Sequence, residues 1–221
     1  YFSINNNIFN IYSKKLFKHQ DRNKLIITIN SFEEIKIIKS YIQSIDSLKN
    51  YKVRCHIKVD TGMNRMGCKS SDFMKIYSEI TSTNLFILEG VYSHLACSED
   101  IKSKYNIQQF NMFKELKEEI KDVSIKYHIL NSGGLFNFSN FKFDKARIGI
   151  SLYGVSPLFE INDNLKPVME LKAPIVLIKN IHKGESVGYG CTYTAKKNMI
   201  IAIVQCGYAD VLLKYFDNNG Y

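Results

Sequence analysis

The residues best suited to chemistry sit in short strings, each where the local pattern changes. His56-Ile-Lys-Val-Asp-Thr-Gly-Met-Asn-Arg-Met-Gly67 runs from an apolar-alternating stretch into a glycine-bracketed loop, and carries Lys58, Asp60, Thr61 and Arg65. A guanidinium on such a loop can hold an anion; Asp-Thr-Gly is otherwise ordinary turn chemistry. Gly90-Val-Tyr-Ser-His-Leu-Ala96 carries His94, which can exchange a proton near neutrality. His128-Ile-Leu-Asn-Ser-Gly-Gly134 sets Ser132 before two glycines, a turn that can aim a hydroxyl and N–H groups at an anion. Ala146-Arg-Ile-Gly-Ile-Ser-Leu-Tyr-Gly154 places Arg147 inside an apolar run, which is costly unless the charge is paired. Gly188-Tyr-Gly-Cys-Thr-Tyr193 holds Tyr189 between glycines, as a turn aromatic or a functional phenol, and Gly207-Tyr-Ala-Asp210 adds Tyr208.

Alternating elements must position these residues. Lys24–Asn30 is a short β-rich run, and Ser31 with Glu34 three residues on forms a capping box that opens a helix. Apolar residues at Ile35, Ile37, Ile38, Tyr41, Ile42 and Ile45 give that helix a buried face. Strands are expected at 53–59, 85–92, 124–130 and 146–152, with helices at 71–80 and 105–120. Five strands with helices between most of them is the grammar of a parallel α/β architecture. Chemistry in a strand–helix barrel is done in the loops at the strands' C-terminal ends, where the Arg65, His94 and Ser132 strings lie; the Tyr189 and Tyr208 strings lie in the later β segment. After Pro157 the pattern turns β-like without a long amphipathic helix, so a boundary is expected near 157–168. The expected parts are a partial (β/α)8 TIM-type barrel over 1–165 and the start of a C-terminal β domain over 166–221. A closed barrel needs eight strands, so about three are expected upstream of this sequence.

Composition excludes several classes. With 221 residues, 45% hydrophobic and 23% charged, the chain resembles an ordinary globular protein. No apolar run is long enough to span a membrane, and the start lacks a secretory signal. The five cysteines are scattered with no Cys-x-x-Cys pair, which points to free thiols in a reducing cytosol and away from a disulfide framework or a zinc site. The net charge of +9 comes from dispersed lysines with no aromatic-interleaved basic cluster, which argues against nucleic-acid binding.

Taken in order, the strings resemble those of alanine racemase, a family of pyridoxal-phosphate (PLP) barrel enzymes. The resemblance implies that Arg147 faces the pyridine nitrogen of PLP, with His128 bonded to it from behind. Asn131, Ser132, Gly149 and Ile150 would serve the cofactor, the last three at its phosphate. Arg65 would contact the phenolic oxygen, oriented by Lys58, which is carbamylated in some relatives. His94 would lie near the ring and touch the partner subunit's tyrosine. Tyr189 would be one of two catalytic bases, working at the partner's site in a homodimer, and Tyr208 would line the substrate's approach. A phenol ionises near pH 10, so such a base needs electrostatic help from its neighbours. Val211 departs from the glycine usual there. The implied reaction is interconversion of L- and D-alanine, in a bacterial cytoplasm that builds peptidoglycan.

The family's second base is the lysine that holds PLP, in a string near Val-x-Lys-Ala-Asn-Ala-Tyr-Gly-His-Gly. No such string occurs among these 221 residues. The chain therefore reads as an internal fragment, expected to be inactive alone. Alternatives are a serine or broad-specificity barrel racemase, or a non-catalytic PLP-binding relative. Fold-related decarboxylases pair the ring nitrogen with an acid, so Arg147 argues against them.

Overall fold

The computed structural model describes residues 25–48, 51–141, 143–158 and 164–210. The chain divides into two compact units, Tyr1–Pro167 and Val168–Tyr221. In the first, β1 (Ile27–Ile29), β2 (Val53–Lys58), β3 (Phe86–Tyr92) and β4 (Lys126–His128) form one parallel sheet in sequence order. The helices α1 (Phe32–Gln43), α2 (Ser70–Thr81) and α3 (Lys104–Glu118) connect the strands, and the short α4 (Ser132–Asn137) follows β4. This is the strand–helix alternation read from periodicity. Ser31 caps α1, its Oγ accepting from Glu34 N at 3.3 Å. The Glu34 carboxylate reaches back one residue further than a standard capping box, to Asn30 N at 2.6 Å.

The sheet has two unlike faces. Ile29, Cys55, Ile57, Val91 and Tyr127 alternate onto one face and join a buried core with Ile35, Ile38, Phe73, Ile76 and Phe113 of the helices. The intervening positions put Thr28, His56, Lys58, Gly90, Tyr92 and His128 on the other face, because successive strand side chains point to opposite sides. Lys58 and His128 are nonetheless buried, at 3% and 5% exposed. The first face holds the fold together, and the second carries the polar groups.

The expected strand over 146–152 does not form. This segment is irregular as far as Gly149 and then turns through a 3-10 helix, Ile150–Tyr153, closed by Gly154 at φ 75°. The cause is local competition for backbone donors. Arg147 N donates to Leu130 O at 2.9 Å, as a strand beside β4 would. The N–H groups of Gly149 and Ser151 turn instead to Ser132 Oγ, at 3.0 and 3.5 Å, and leave the ladder.

The second unit is β-rich. β5 (Ile175–Ile181) pairs antiparallel with β8 (Met199–Val204), and β6 (Ser186–Val187) pairs with β7 (Tyr193–Thr194). Ile181 and Ala195 are its buried apolar residues among those described, while Ile175, Val176, Leu177 and Ile178 are all more than half exposed. No helix of the described residues is long and apolar enough to cross a membrane.

Candidate active site at the C-terminal end of the sheet

Arg147 is the hub. One terminal nitrogen donates to His128 Nδ1 at 2.7 Å and to His128 O at 3.1 Å. The other donates to Ser93 O at 2.5 Å and to His94 Nδ1 at 2.9 Å. The guanidinium carbon also lies 4.8 Å from the centre of the Tyr92 ring, which stacks on His128 with an interplanar angle of 3°. Neutral carbonyls, imidazoles and an aromatic face thus hold the charge predicted to need partners.

The donor fixes the histidines. A guanidinium has no acceptor, so both Nδ1 atoms must be unprotonated and both neutral rings carry hydrogen on Nε2. Burial first and Arg147 second drive the His94 pKa down to about 4 and that of His128 to about 3. Neither is a cation at neutral pH.

Beside this cluster lies a small oxygen-rich turn. Asn131 caps α4, its Oδ1 accepting from Gly134 N at 2.9 Å, with its amide 3.5 Å from His94 Nε2. Ser132 Oγ holds Gly149 N, so that N–H already has a partner within the chain. Ser151 Oγ is buried with no partner among the described residues. An unsatisfied buried hydroxyl costs about 1–3 kcal/mol, and an anionic oxygen beside Ser132 and Ser151 would satisfy it. The residues therefore fit a phosphate-bearing group. Ser151 has no role in the sequence reading; its signal is a hydroxyl two residues after Gly149 in the Arg147 string.

The loop after β2 is firmly built. Asp60 Oδ1 accepts from Gly62 N and Asn64 N at 2.9 and 3.0 Å, so Asp60 shapes the turn. Gly67 has φ 115°, and a Cβ there would come within 2.8 Å of Asp60 N. Arg65 is exposed and lines a cavity of about 600 Å³ with Asp60, Thr61, Asn64 and Tyr105. Burial first, then the like charges of Arg65 and Arg147, push the Lys58 ammonium below its ordinary value. Gln109 of α3, fully buried, ties the neighbouring loops together. It donates to Thr61 Oγ1 at 3.2 Å and to His94 O at 2.9 Å, and accepts from Ala96 N at 2.8 Å. A helical glutamine among apolar residues left no sequence signal of that duty.

Tyr189 belongs to the second unit. It is 100% exposed, in a 3-10 turn between Gly188 at φ 78° and Gly190 at φ 68°. Tyr208 opens another such turn, Tyr208–Asp210, closed by Gly207 N donating to Asp210 Oδ2 at 3.0 Å. The Tyr208 side chain and Val211 lie outside the described residues.

Comparison with known proteins identifies the family. Residues 4–157 match the model of the alanine racemase N-terminal domain, and residues 168–221 that of the C-terminal domain. The chain is similar to alanine racemases of Rickettsia canadensis (35% identity over 196 residues, 89% of this chain and 52% of the relative) and Treponema denticola (38% over 173 residues, 75% and 46%). It thus spans about half the length of the curated relatives it matches. Among solved structures it resembles the biosynthetic alanine racemase of Pseudomonas aeruginosa (TM-score 0.77, 25% identity, covering 94% of this chain and 54% of that one). It also resembles the Bartonella henselae alanine racemase with covalently bound pyridoxal phosphate (TM-score 0.73, 30% identity, 88% and 53%). With both domain models matched across nearly the whole sequence, the chain belongs to the alanine racemase family.

Proposed function

We propose that this chain supplies about half of a PLP-dependent alanine racemase that interconverts L- and D-alanine by two bases. The observation that carries the reading is Arg147, a permanent cation held by neutral acceptors at the end of the sheet. PLP supplies, when bound, an electron sink for the charge left when Cα loses its proton. Arg147 would face the ring nitrogen. A guanidinium donates N–H and accepts none, so it would hold the ring nitrogen as an unprotonated acceptor, which would weaken the sink and favour simple proton exchange over side reactions.

The other residues bind and orient. Ser132, Ser151 and the backbone at Ile150 would take the phosphate, with the Gly149 N–H exchanging its Ser132 partner for it, and Asn131 and His128 would brace the turn and Arg147. Arg65 would hold the phenolic oxygen, with Lys58 behind it, and His94 would stand beside the ring. Tyr189 would move a proton at Cα in the partner subunit's site, and Tyr208 would line the approach. This requires a homodimer with shared sites and a division into barrel and β domain near residue 165. The place of action would be the bacterial cytoplasm, serving peptidoglycan. The lysine that would serve as second base is not found in these residues.

The test is to incubate the full-length protein with PLP, scan for the visible band of lysine-bound cofactor, and assay L- to D-alanine exchange. A band with exchange is expected. Neither one would favour the non-catalytic relative, and exchange of serine without alanine the broader racemase.

A further inference from the structure

His56 is a buried-side histidine that the proposed chemistry does not use. Its Nδ1 lies 3.2 Å from His128 Nε2, and the two ring centres are 5.2 Å apart. Arg147 already claims His128 Nδ1, so the His128 hydrogen sits on Nε2 and points at His56. His56 must accept it on Nδ1 and, when neutral, carry its own hydrogen on Nε2. The chain of donors then runs one way, from Arg147 to His128 to His56.

The sheet makes room for this ring. Register slips between Cys55 and His56, so that Cys55 pairs with Leu88 but His56 pairs with Gly90, leaving Glu89 as an extra residue. Such a bulge re-aims side chains. Gly90 completes the slot, because a Cβ there would stand 3.0 Å from both Cε1 and Nε2 of His56. The Tyr92 ring closes the side at 6.2 Å.

We propose that His56 is a positioning residue, the terminal acceptor that satisfies the His128 Nε2–H and so braces the ring through which His128 holds Arg147. Its effect on the reaction rests on the reading that Arg147 faces the cofactor; the hydrogen-bond chain does not. Protonating His56 would place N–H against N–H and break the chain. The groups facing His56 are the Tyr92 and His128 rings, Arg54 and Glu89 (paired with each other), Lys145 and Arg147. Most of that charge is positive, which with burial holds the ring neutral.

The test is histidine-selective nitrogen NMR on the cofactor-free full chain, above neutral pH. His128 is expected as the neutral Nε2–H tautomer, and His56 likewise. In His56→Leu the His128 Nε2 signal should shift, because its N–H loses its acceptor. His56→Asn, whose side-chain oxygen falls near the Nδ1 position, should restore the wild-type signature. In the full-length protein His56→Leu should lower kcat roughly tenfold with little change in KM, and His56→Asn should regain most of it. A wild-type His128 that is cationic or protonated on Nδ1 overturns the proposal without needing any variant to fold. So does an unchanged His128 signal in His56→Leu, or equal kinetic loss in both variants. A full-length protein without racemisation would overturn the functional reading, while the NMR result would still decide His56.

Discussion

Arg147 and Tyr189 are the two residues on which the proposed reaction turns, and their surroundings are opposites. Arg147 is gripped by acceptors from two strand ends, residue 128 at 19 positions away in sequence and residues 93–94 at 54 and 53. Tyr189 projects entirely into solvent from a glycine-flanked turn. A group that tunes a cofactor must be immobile, so its neighbours belong to its own fold unit. On the proposed reading Tyr189 would work in another subunit, which calls for a residue that its own unit leaves bare.

The sharpest way to break this contrast is to remove each residue and read activity and stability separately. Tyr189→Phe in the full-length protein should lower racemisation by about a thousandfold, in the range of a lost general base. Its unfolding free energy should stay within about 0.5 kcal/mol, as for an exposed site. Retained activity would show that the phenol is no base. Arg147→Leu should cost roughly a hundredfold in rate, as for a lost electrostatic stabiliser. It should also cost about 2–3 kcal/mol in a urea titration, because buried imidazole and carbonyl acceptors lose their donor. Equal stability of the two variants would erase the distinction.

Acid sharpens it further. His94 and His128 titrate at about 4 and about 3 when folded, against 6.5 when unfolded. The unfolded chain therefore binds more protons below 6.5, so this stability is complete above that pH. It falls as pH drops through the interval down to the folded values. The slope for each histidine should rise from about half of 1.4 kcal/mol per pH unit at pH 6.5 toward that limit near pH 5, visible in denaturant midpoints. His128→Gln should flatten the slope, and an unchanged slope would contradict the neutral tautomers. The smallest effect belongs to Ser151→Ala. It should stabilise the cofactor-free protein by about 1 kcal/mol, by removing an unsatisfied hydroxyl, and weaken PLP binding in the full-length protein. Destabilisation would mean that Ser151 already has a partner.

Much of this was legible in order of residues because burial is written in periodicity. Val53, Cys55, Ile57 and Val59 alternate, and all are buried. An arginine within an apolar run announced that it must be paired, and the structure pairs it. The segment 146–152 misled because its apolar residues suit a strand while its backbone donors are taken by a hydroxyl some seventeen residues earlier. His56 stood in the first string without a role, because its partner is 72 residues away and the tautomer depends on a third residue. Gln109 and Ser151 were missed for the same reason: what they do depends on tertiary neighbours, which no local spacing encodes.

The slip at Cys55/His56 also bears on how the gene can drift. Leu88 and Gly90 already lie on opposite faces although they are two apart, so Glu89 is a spare beat in the rhythm of β3. Losing that one codon triplet would leave a regular strand with Val91 still facing the helices and Tyr92 still facing the polar cluster. The toll would be the Arg54–Glu89 pair and the His56 slot. Losing a single triplet between Gly90 and Tyr92 would instead invert the strand's downstream phase and turn Tyr92 away from His128. Neighbouring deletions of equal size should therefore differ sharply in what the protein survives.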